Sequence, residues 1–121
     1  MSAADPITTS VAHREGVAVV SIGGEIDLST APAFEAAITG ALDDDPVVLV
    51  IELSEVSFMA SVGLRILADT HEKVGKTARV AIVANNQATS RPMRLTGLDK
   101  VMSMYPTLDD ALSAVGTGPC N

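Results

Sequence analysis

The chain has one cysteine, no tryptophan, one tyrosine and two phenylalanines in 121 residues. A single thiol can neither close an internal disulfide nor build a thiolate metal site, so Cys120 fits a reducing compartment and a fold stabilised by burial alone. Aromatics make up 2% of a chain that is 47% hydrophobic, so the core has to be assembled from Val, Ile, Leu, Ala and Met. Basic residues are scarce as well. Eight Lys and Arg against fifteen Asp and Glu leave a net charge of -7. Scattered along the chain, the cations form no stripe, which argues against nucleic acid and points to a basic protein surface as the partner. Long apolar runs are missing too. No apolar run exceeds the length of Val47 to Ile51, far too short to cross a bilayer, and Met1 to Pro6 has neither the basic region nor the apolar run of a signal peptide. A soluble cytoplasmic protein is expected.

What is present is alternation. A chain of this length makes one domain burying about two-thirds of its unfolded surface, here residues 1–121 with an ordered core over about 6–115 and loose tails at 1–5 and 116–121. Ile7 to His13 and Val17 to Ile22 read as strands joined through Arg14, Glu15 and Gly16, a hairpin. "GGEIDLSTAPAF" then opens a helix with Ser29 or Thr30 as N-cap, Pro32 in the first turn, and Phe34, Ala37, Ile38, Ala41 and Leu42 on one apolar face. "VVLVIEL" is the β-branched run of a strand buried on both faces, expected to end near Leu53. A second helix follows from Ser61 to about Lys76, then a buried strand at Ala78 to Ala84. A short helix starting near Ser90 and Pro92 and stopping at Gly97, a strand at Val101 to Tyr105, and a helix capped by Thr107 with Leu108, Ala111, Leu112 and Val115 inward complete the chain. The pattern predicts an α/β fold: a mixed central sheet opened by an antiparallel hairpin and packed by about four helices.

Catalytic constellations are missing. Gly23 and Gly24 lack the spacing of a dinucleotide or phosphate loop and no lysine follows them. His13 and His71 have no carboxylate or cysteine at ligand spacing, and Asp43, Asp44 and Asp45 read as a solvated turn. No cofactor or metal is expected, and no enzyme activity.

Two residues stand out. Asp27 lies at the end of a buried strand just before a helix, where sheet-based folds display functional groups; position alone favours a turn aspartate holding backbone amides. Ser61 opens the second helix. Its simplest role is an N-cap accepting a bond from an amide two or three residues on. Leu64, Leu67, Ala68, His71 and Val74 mark the inward stripe of that helix, with Ser61, Val62, Arg65, Asp69, Glu72 and Lys73 toward the other side. Met59 and Val62 would then be apolar groups flanking an exposed serine, as on a docking surface. A phosphate there would add about 1.5 to 2 negative charges, tolerated by a helix N-terminus and hostile to a packed partner.

From the opening hairpin through "GGEIDLSTAPAFEAAI", "PVVLVIELSEVSFMASVGLRIL" and "ARVAIVAN" to "TLDDAL", the chain resembles a STAS domain of the anti-sigma factor antagonist family, most closely the actinobacterial antagonists of stress-response regulation. The resemblance implies binding to an anti-sigma factor that is also an ATP-using serine kinase, release of a sigma factor, and inactivation when the kinase phosphorylates Ser61. A phosphatase would reset the switch. Asp27 matches the aspartate of the family's first loop, and the partner-binding set is expected to comprise Asp27, Ser29, Thr30, Met59, Ser61, Val62 and Arg65. The family commonly places an aspartate directly before the acceptor and a hydroxyl residue directly after it. Ala60 and Val62 occupy those positions here, so loop phosphorylation would fall on Ser61 alone. The protein would act as a monomer or weak dimer. Two other readings remain: a constitutive STAS subunit, for instance of a lipid-transport complex, in which Ser61 only caps its helix; and a nucleotide or small-ligand sensor, for which no phosphate loop speaks.

Overall fold

The computed structural model describes residues 7–114. The expected loose tails, and with them Cys120 and Val115, lie outside the described residues. The elements run β1 (Ile7–Arg14), β2 (Val17–Ile26), α1 (Ala31–Leu42), β3 (Val48–Met59), α2 (Ser61–Val74), β4 (Arg79–Val83), α3 (Gln87–Thr96), α4 (Leu98–Val101), β5 (Ser103–Tyr105) and α5 (Leu108–Ala114). The strands form one sheet in chain order, with β1 antiparallel to β2 and every later neighbour parallel. The mixed sheet opened by a hairpin is as the sequence indicates. Glu15 and Gly16 make the hairpin turn with positive φ at both positions, 49° and 85°, the mirror-image turn whose twist matches the flanking strands.

A parallel sheet built in strict sequence order by right-handed crossovers puts its connecting helices on one face. Phe34, Ile38 and Ala41 of α1, Leu64, Ile66, Leu67 and Val74 of α2, and Met93 of α3 join Leu49, Ile51 and Leu53 of β3 in the main core. On the opposite face Val17, Val48, Val50, Ala81 and Val83 form a smaller core around Ala111 of α5. Alternate residues of β3 thus enter both cores, the reason its run is continuously apolar.

Several boundaries differ from expectation. β3 continues six residues past Leu53, because its far half pairs with Gly23–Ile26 through two irregularities: Ser21 and Gly23 face Glu52 and Glu55, and Gly24 and Glu25 face Val56 and Phe58. Each leaves one extra residue on β3, a bulge. α3 starts before Ser90, so Pro92 falls inside it. Asn86 is the cause. Its Oδ1 accepts from Thr89 N at 3.2 Å, while its Nδ2 donates to the Ser54 and Val56 carbonyls, each at 3.1 Å, in the bulged stretch of β3. One side chain therefore caps a helix and satisfies two carbonyls outside the regular ladder. Leu98–Val101 forms the additional helix α4, so β5 begins at Ser103 rather than Val101. Thr107 caps α5 as expected, its Oγ1 accepting from Asp110 N at 3.0 Å. On α2 the inward stripe is rotated: Gly63, Ile66 and Thr70 are buried with Leu64, Leu67 and Val74, whereas Ala68 and His71 are half-buried.

Asn86→Ala is expected to lower unfolding free energy by about 2 kcal/mol, from a lost cap and two unpaired carbonyls. Asn86→Asp should give no rescue, since it keeps the cap acceptor but turns a carboxylate oxygen toward those carbonyls. Urea denaturation of both variants reads the outcome, and full stability of Asn86→Asp would refute the bridging role.

Candidate functional site

The site lies where β2 and β3 end side by side. Ile26 pairs with Met59, and Ala60 N donates to Ile26 O at 2.8 Å, so the chain leaving β2 at Asp27 and the chain entering α2 at Ser61 start from adjacent positions. Two segments more than thirty residues apart thus form one surface.

The first segment is a tight loop organised by Asp27. Its Oδ1 accepts from the Ser29 hydroxyl at 2.7 Å, from Ser29 N at 2.9 Å and from Thr30 N at 3.2 Å. The Ser29 hydroxyl, aided by the Thr30 and Ser29 amides, holds the Asp27 carboxyl below its usual value of 3.8, with partial desolvation pulling the other way. The turn role suggested by sequence position is therefore what Asp27 performs. Thr30 occupies the N-cap position of α1 without a side-chain cap bond. Its hydroxyl, 3% exposed as a residue, instead accepts from Asp27 N at 2.8 Å and donates to Glu25 O at 2.9 Å. Thr30 works beneath the surface; Ser29 is exposed.

The second segment gives a different role to Ser61 from the one its position suggests. The N-cap of α2 is Ala60, in extended conformation, and no side chain caps the helix. Ser61 is the first helical residue, exposed, and its hydroxyl has no hydrogen-bond partner among the described residues. The capping role fails because β3 runs on to Met59 and leaves a single residue for the handover. Arg65, one turn later, is exposed, and Val62 is half-buried against the main core.

Met59 does not flank the serine. It is 5% exposed and belongs to the core. Treating 54–60 as a loop misses the reason: the inward positions of β3 are Leu49, Ile51, Leu53, Val56 and Met59, spaced by two and then, across the bulges, by three. The exposed apolar groups at this end are Phe58, at 50%, and Leu28, at 81%, neither singled out from sequence. A leucine inside the polar turn "DLST" was a usable signal; Phe58 needed the register of β3.

Gly63 seats the helix. A Cβ there would lie 2.8 Å from Ile26 Cγ2 and 2.9 Å from Met59 Cγ, so the first turn of α2 packs directly on the ends of both strands. Elsewhere, His13 Nε2 lies 3.2 Å from the Ala41 carbonyl and 3.5 Å from Asp44 Oδ2, a contact between hairpin and α1 rather than a catalytic pair. Among the described residues no group of His, Cys, Asp and Glu is arranged to hold a metal, and no helix is long and apolar enough to cross a membrane.

A family model for the STAS domain matches residues 8–111. The chain is 53% identical over 118 residues to the anti-sigma-F factor antagonist RsfB of Mycobacterium tuberculosis, spanning 98% of this chain and 97% of that protein. It is similar to the crystal structure of an anti-sigma factor antagonist from Mycobacterium paratuberculosis, at 57% identity and a TM-score of 0.88 over 95% of this chain and 98% of that one. The unphosphorylated form of the antagonist SpoIIAA matches with a TM-score of 0.71 over 89% of this chain and 96% of that one, at 19% identity, a likeness of fold alone.

Gly63→Ala should destabilise the protein by about 1 to 3 kcal/mol, because overpacking against Ile26 and Met59 outweighs alanine's better helix propensity. Gly40→Ala in α1, where a Cβ meets nothing within 4 Å, should be neutral or stabilising in the same denaturation assay. Since the folded state lowers the Asp27 pKa, the stability this carboxylate contributes is complete above 3.8 and fades as pH falls through that value and the lower folded one. The stability gap between wild type and Asp27→Asn should accordingly narrow in acid; a gap that widened there would contradict the ionised turn.

Proposed function

The chain belongs to the STAS-domain family, and on that premise we propose that it is an anti-sigma factor antagonist: it binds an anti-sigma factor that is also a serine kinase, frees a sigma factor, and is released when Ser61 is phosphorylated. The carrying observation is the exposed Ser61 hydroxyl, which neither caps its helix nor bonds elsewhere among the described residues. The identity to proteins named as antagonists supports the reading. The rival view of Ser61 as a mere cap loses its basis with the cap bond.

The chemistry divides between the two proteins. The partner holds ATP, takes the hydroxyl proton and transfers the γ-phosphoryl group to Ser61 Oγ with loss of ADP; this chain supplies only the acceptor and the surface that positions it. That surface consists of Ser29, Ser61, Val62 and Arg65 together with Phe58 and Leu28, while Asp27, Thr30 and Met59 shape it from below. Exposed Phe58 and Leu28 are the kind of apolar anchors that a partner buries. A dianion at the centre of such a contact would be desolvated without compensation, and Asp27 and Glu25 add like charge nearby. No cofactor enters this scheme, a phosphatase would restore Ser61, and both proteins would meet in the cytoplasm.

Purified protein mixed with candidate anti-sigma kinases and ATP should take up phosphate on Ser61. Ser61→Ala should bind and stay unmodified, Ser61→Glu should lose binding, and Phe58→Ala should weaken it about tenfold. Phosphate on another residue, or undiminished binding by Ser61→Glu, would refute the switch.

A further inference from the structure

Arg65 lies four residues after Ser61 on α2, both are exposed, and Arg65 forms no ion pair among the described residues. Residues at that spacing are neighbours on one helix face, with Cβ atoms about 5 to 6 Å apart. Helical side chains lean toward the N-terminus, so a guanidinium at position 65 is within reach of the turn that carries Ser61. An anion one turn before a cation is also the favourable order for such a pair. The competing carboxylate, Asp69, lies one turn after Arg65, in the less favourable order, and forms no ion pair with it.

We propose that Arg65 is the internal receptor for the phosphate on Ser61, gripping it through the fork of the guanidinium. The modification therefore acts twice on the partner surface. It places a dianion at the centre, and it removes from the rim a cation that the unmodified protein offers to its partner. Arginine suits this task better than lysine, because its planar fork matches two phosphate oxygens at once. The pair lies within one helix, so the phosphorylated state needs no rearrangement of the fold.

The inference rests on the Ser61 reading but is tested apart from it. The full chain is prepared with phosphoserine built in at position 61 during synthesis, as wild type, Arg65→Gln and Arg65→Lys, so no kinase is needed. The phosphorus resonance is followed against pH, and melting is compared with the unphosphorylated forms at low and high salt. Asp27 and Glu25, the acidic groups near the same end of α2, are unchanged in all three.

In the wild type the phosphate should ionise at lower pH than in Arg65→Gln, with Arg65→Lys between them. Phosphorylation should raise the wild-type melting temperature relative to Arg65→Gln by about 2 °C at low salt, a difference that high salt removes. Coincident phosphorus titrations in wild type and Arg65→Gln would overturn the proposal. Failure of the parent reading would appear separately, as phosphoserine-61 protein that still holds an anti-sigma factor.

Discussion

The contact on which the site depends is a close one between backbone and side chains: the first turn of α2 resting on Ile26 and Met59, at a point where only glycine leaves room. Ile26 and Met59 are themselves paired across β2 and β3, and the Ala60 amide is bonded to the Ile26 carbonyl. Helix and both strand ends thus form one rigid unit. The loop from Asp27 to Thr30 and the start of α2 are fixed relative to each other by this seat, so two short segments act as one face.

The same unit divides the side chains at this end of the sheet into those that turn inward and those that face outward. Asp27 spends its oxygen on the turn, Thr30 bonds inward, and Met59 fills the core; these three hold a shape. What remains outward includes Ser29, the Ser61 hydroxyl, unbonded among the described residues, the Arg65 cation, and the apolar side chains of Phe58 and Leu28. Under the proposed function such a set is read, and altered, by another protein. Under the same proposal the overall negative charge works in the same sense, since a surface that is already acidic needs only one added dianion near a contact to turn against a neighbouring protein.

The bulges in β3 are where reading the chain locally breaks down. The continuous apolar run "VVLVIEL" is plain, and Ser54, Glu55 and Ser57 then look like the start of a loop. In the fold these residues continue the strand, because the far half of β2 offers a partner and Asn86 answers the carbonyls left by the irregular pairing. Neither partner is near in sequence. Asn86 likewise decides where α3 begins, overriding the natural inference that Pro92 stands in a first turn.

By itself the sequence determined the α/β class, the order of the elements apart from α4, the doubly buried third strand and the span of the second helix, since each is written in periodicity and in residues a few positions apart. Only the tertiary structure decided that Met59 turns in while Phe58 turns out, that Thr30 bonds inward rather than capping, and that the Ser61 hydroxyl has no hydrogen-bond partner among the described residues. Those outcomes follow from the register between β2 and β3, which is set by pairing across the sheet, and a shift of one residue there reverses which side chain meets water.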